Sequence, residues 1–92
     1  MTEAEAERVA IAALTHLAAE PERIGAFLTA AGAAPGDLRD RATDPAFLGF
    51  VLDFLLGDED SVIAFAEETG MAPEIVMQAR RALPGGDVPE WT

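Results

Sequence analysis

The stretch PAFLGFVLDFLLG, residues 45–57, limits what this chain can fold into more than any other. Asp44 offers a side-chain acceptor to first-turn N–H groups, and Pro45 fits the position where no N–H is needed, so a helix is predicted to start there. Wound as a helix, it spreads Phe47, Leu48, Val51, Leu52, Phe54, Leu55 and Leu56 over more than half its circumference. Only Ala46, Gly49 and Asp53 remain as a narrow open strip. A helix apolar on so many sides has to be enclosed by others. The run is also broken by Asp53 and falls short of the roughly 20 apolar residues needed to span a bilayer. The prediction is therefore a central core helix near 45–56 in an all-α fold, with no membrane partner.

The chain has 92 residues, half of them apolar and a quarter charged, a composition that folds despite a formal net charge of −11. That length suits one compact unit, predicted as a single helical domain over residues 1–84 with a C-terminal tail, 85–92, after the PGG at 84–86. The absence of cysteine excludes disulfides, thiolate metal sites and a cysteine nucleophile. The start, MTEAEAERVA, is acidic where a secretory leader is basic, which points to a cytoplasmic protein.

Thr2 and Glu5 have the spacing of a capping box for a first helix over about 3–19, with Ala10, Ile11, Leu14, Leu17 and Ala18 as its apolar face. Pro21 opens a second helix carrying Ile24, Phe27 and Leu28 to Gly32, and Pro35 opens a short third through Leu38 to about Ala42. After the central helix, Gly57 and the acidic DED at 58–60 lead into a fifth with Val62, Ile63, Phe65 and Ala66 inward. Gly70 ends it, and Pro73 opens a sixth with Ile75, Val76 and Ala79 on the core side.

A shift of 38 residues lays Leu14 and Leu17 on Leu52 and Leu55, Phe27 on Phe65, Gly32 on Gly70 and Pro35 on Pro73. Gly32, Pro35, Gly70 and Pro73 are thus the turn-forming residues of two pseudo-repeated helix-helix-turn-helix units. The expected architecture is a compact bundle of five to six helices, with helices one and four packed together. The segments PERIGAFLTAAGAAPGDLR, TDPAFLGFVLDFLLGDED and IAFAEETGMAPEI, in that order, resemble a family of small bacterial proteins known as the domain of unknown function numbered 3572. Glu20 stands where that pattern has Asp or Ser. The resemblance implies a helical fold and brings no activity, ligand or site residue.

Chemistry-bearing residues are sparse. His16 is the lone histidine, read as lying on the polar side of the first helix with no metal-ligand partners at suitable spacing. Ser61 has no evident base, and Asp58, Glu59 and Asp60 lack the alternation of a calcium loop. No catalytic residue, metal ligand or cofactor site is predicted, and the chain is read as non-enzymatic.

The segment FAEETGMAPEIVMQARR, with Ala66, Gly70, Met71 and Val76 at helix-turn-helix spacing, raises DNA binding as a question. Such proteins hold DNA largely through cationic side chains on phosphates. Residues 44–92 hold ten Asp or Glu against only Arg80 and Arg81, so electrostatics opposes direct nucleic-acid binding. The expected function is that of a small helical interaction or regulatory module for another protein, whose basic surface the acidic second half would attract. Phe50, Trp91, Arg80 and Arg81 are the candidate partner contacts. The alternatives are a nucleic-acid-associated protein acting with a basic partner, and a small-molecule binder using the bundle interior.

Overall fold

The computed structural model describes residues 1–84 and, among them, contains helices and no strand. The order is α1 (Glu3–Ala18), α2 (Pro21–Ala31), a single 3₁₀ turn (Pro35–Asp37), α3 (Leu38–Arg41), α4 (Pro45–Leu56), α5 (Glu59–Thr69) and α6 (Glu74–Ala82). The all-α bundle expected from the sequence is present. The expectation for Trp91 and the tail lies outside the described residues.

Local chemistry explains the helix ends. Thr2 and Glu5 form the reciprocal capping box: the Glu5 N–H donates to Thr2 Oγ1 at 3.1 Å and the Thr2 N–H to Glu5 Oε1 at 2.8 Å. The Asp44 carboxylate accepts from the Ala46 N–H at 3.0 Å, and Asp58 accepts from the Asp60 N–H at 3.2 Å and from the Ser61 hydroxyl at 2.9 Å. Glu20 makes no such side-chain cap for α2, which instead relies on Pro21 in its first turn. Gly32 and Gly70 close α2 and α5 with φ of 66° and 75°, the left-handed conformation in which a Cβ is strained.

The long helices α1 and α4 pack on each other as expected; α6 lies against both, α5 against α4, and α2 against α1 and α4. Phe27 and Phe65, paired by the 38-residue shift, are both fully enclosed. The two corners diverge beyond their turns. The first gives a 3₁₀ turn and a four-residue helix without a buried residue, where a continuous third helix was expected; the second gives nine-residue α6 with Val76 and Ala79 buried.

Burial assignments change on three helices. On α1 the enclosed face is Ala6, Val9, Ala10, Ala13, His16 and Leu17, a stripe at helical spacing whose alanines admit α4 and α6 closely, while Ile11 and Ala18 are exposed. Ile63 is likewise exposed, while Phe65 and Ala66 are the buried residues of α5, which packs on α4. On α4, Gly49 is buried instead of open, and Phe54 and Leu56 are only half-buried. The approach of α6 covers the Gly49 side of α4, and the Phe54 side faces a gap between α2 and α5.

Candidate interaction groove

That gap is an open groove of about 560 Å³. Its apolar bottom comes from Leu17 near the end of α1, Ala26 on α2 and Phe54 on α4. Phe54 is held there by Phe27, which it meets edge to face with centroids 5.4 Å apart; Phe27 also touches Phe47 and Phe50, at 5.6 Å each. One buried ring on α2 thus fixes three rings of α4.

The polar rim carries Glu22, Asp53 and Asp58, with Arg23 as its one cation and Ser61 beside Asp58. Arg23 is turned toward the bundle, where its Nη1 donates to His16 Nε2 at 3.2 Å. Arginine can only donate, so Nε2 accepts; the ring proton then sits on Nδ1 and is donated to the Glu68 carboxylate. His16 is 5% exposed and also meets the Phe65 ring edge on, at 5.7 Å. This corrects its assignment to the polar side of α1. Ala6, Val9 and Ala13 lie on the same stripe as His16, and Arg23 and Glu68 satisfy both ring nitrogens, which is what makes its burial tolerable.

The sequence-predicted contacts do not assemble into one site. Phe50 is half-buried against Phe27 and completes the core cluster, although its outer edge contributes to a second, smaller concavity with Phe47 and Arg41. Arg80 is already engaged: Nε donates to Asp53 Oδ1 at 2.6 Å and Nη1 to the Pro84 carbonyl at 3.0 Å. Arg81 is exposed on α6. The turn residues Gly32, Pro35, Gly70 and Pro73 do lie at the two corners, as expected.

The family model described as "Protein of unknown function (DUF3572)" matches residues 3–86. The chain belongs to that family. No curated protein and no solved structure matches it. In this DUF3572 chain no group of three or more His, Asp or Glu side chains among the described residues could hold a metal ion, and no described helix is long and apolar enough to cross a membrane. Of the groove residues, sequence pattern places Leu17 and Phe54 in the core and gives Glu22, Arg23 and Ala26 no role. They come from three helices, and no spacing along the chain announces that α1, α2 and α4 leave a gap there.

Proposed function

We propose that this protein is a non-enzymatic, cytoplasmic interaction module that binds another protein through the groove between α1, α2, α4 and the start of α5. The observation that carries this reading is an open apolar surface, Ala26 and Phe54 over buried Leu17, ringed by polar side chains, the arrangement of an anchor pocket at a protein interface. Phe54 supports it further: it is half-exposed at the groove yet fixed from behind by Phe27, so it is a preorganised surface for a partner. The groove volume also falls in the range of small-ligand sites. It is open at the surface, however, and not in the bundle interior where the small-molecule reading placed it.

The helix-turn-helix reading keeps one observation in its favour: Gly70 adopts φ of 75° and Met71 packs half-buried against the core, as the turn of such a motif does. Against it, Arg80 is spent on Asp53 and Pro84, which leaves Arg81 as the exposed cation of α6 beside Glu74 and Gln78. We also read the matching corners at Gly32 and Gly70 as traces of a duplication, with the groove formed where parts of both units meet.

Site-specific photo-crosslinking in native cells tests the interaction reading. A photoreactive side chain replacing Ala26, in the groove, should give one discrete protein adduct, while the same group replacing exposed Ala4 on α1 should not. Adducts of equal yield from both positions, or none from Ala26, would contradict it.

A further inference from the structure

The chemistry of the rim also selects an occupant. Three carboxylates line the groove and one cation, Arg23, which is drawn away by His16. Asp53 has Arg80 on one oxygen and Asp58 is partly occupied in capping α5, but Glu22 has no ion pair among the described residues. A ligand entering over Phe54 therefore meets negative potential above an aromatic face, the environment that favours a guanidinium or ammonium on an apolar stem. The charge of the whole chain, −11, attracts the same class of molecule from a distance.

Resting on the interaction reading above, we infer that the groove receives a basic, amphipathic segment of a partner protein. A Lys or Arg head group lies among Glu22, Asp53 and Asp58, with its aliphatic stem and an adjacent apolar side chain across Phe54 and Ala26. The same charges disfavour the other occupants. A second copy would bring a further −11 toward an acidic rim, and the segment 85–92 contains Asp87 and Glu90 with no basic residue. Nucleic acids and anionic lipid surfaces are repelled likewise.

The test is amide chemical-shift mapping on the full, isotopically labelled chain. The probe is a synthetic amphipathic helical peptide of Leu and Arg, with a counterpart in which every Arg is Glu. A salt concentration of about 0.15 M suppresses diffuse attraction. The Arg peptide should shift amides around Ala26, Gly57 and Ser61. The pair Glu22→Gln with Asp58→Asn, in which Asn still caps α5, should weaken it by about an order of magnitude. The pair Glu67→Gln with Glu74→Gln removes the same charge from exposed positions on α5 and α6 and should have little effect. Equal weakening by both pairs, shifts centred elsewhere, groove binding by the Glu peptide, or no binding by the Arg peptide would each overturn the inference. Failure here is separable from failure of the interaction reading: an adduct from position 26 to a partner whose contacting segment is neutral or acidic would leave the module in place and remove only its preference for cations.

Discussion

Arg80 crosses from α6 to lie directly over Gly49 of α4, so close that a Cβ at Gly49 would stand 2.9 Å from Arg80 Nη1. The same guanidinium pairs with Asp53, one turn further along α4, and holds the Pro84 carbonyl. A missing side chain on the central helix thus makes room for the ion pair that ties α6 to it.

Gly49→Ala should be nearly neutral, within about 1 kcal/mol. The obstructing atoms are mainly the mobile end of Arg80, so the cost is a displaced ion pair, about 0–1 kcal/mol at this exposure, offset by about 1 kcal/mol of helix propensity. Urea unfolding checks this, together with Asp53→Asn, which should lower stability in the parent and not in the Gly49→Ala background. A loss of several kcal/mol from Gly49→Ala alone would mean that backbone, and not arginine, limits the approach.

Phe27→Ala should cost about 3–5 kcal/mol, because that fully buried ring supports Phe47, Phe50 and Phe54 together. Phe54→Ala should cost clearly less, since the ring is half-exposed at the groove. Denaturant midpoints of the two variants decide the order; the reverse order would place Phe54 in the core and close the groove.

Gly70→Ala should destabilise by about 1–2 kcal/mol through the left-handed backbone alone, as an added Cβ there meets no neighbouring atom within 4 Å. Gly70→Asn should lose less, since Asn tolerates that conformation. Equal effects of Ala and Asn in thermal melts would remove conformational strain as the cause.

The capping box makes the start of α1 pH-sensitive. The Thr2 N–H, followed by its hydroxyl, holds the Glu5 carboxyl below its ordinary value of 4.5. The contribution of Glu5 to α1 is then complete above that value and disappears as pH falls through the lower folded one. The Glu5 carboxyl carbon shift should titrate below 4.5, and Thr2→Pro, which removes the Thr2 N–H and the hydroxyl together, should move its midpoint back toward that value. A midpoint unchanged by Thr2→Pro would show that the box is not formed in solution.

In the neutral His16 ring, nitrogen shifts should show Nδ1 protonated and Nε2 bare, as the contacts to Glu68 and Arg23 require. The opposite tautomer would break the link between His16 and Arg23, and with it the account of why the one groove cation is turned inward.

The fold was legible wherever one residue type has one physical job. Thr2 with Glu5, Asp44 with Pro45, and the two positive-φ glycines marked helix ends, and the apolar run at 45–56 marked the centre. Rotation about helix axes was less legible. On α1, alanine is apolar enough for either face, so only the positions of α4 and α6 decide that Ala6, Val9 and Ala13 go in and Ile11 stays out. His16 was misplaced because its burial depends on Arg23 and on Glu68, 52 residues away. The groove was invisible for the same reason: it is a space between helices, and a sequence records side chains and not the gaps they leave.

The central claim, that the groove is the docking site, is tested most directly by filling it. Ala26 is exposed on α2 at the groove, so Ala26→Trp should occupy the space above Phe54 with little effect on the core. The decisive measurement is the affinity of the partner identified by crosslinking at position 26 for Ala26→Trp and for the parent, with matched melting temperatures. The account predicts a loss of about tenfold or more. Unchanged affinity in a fully folded variant would contradict it.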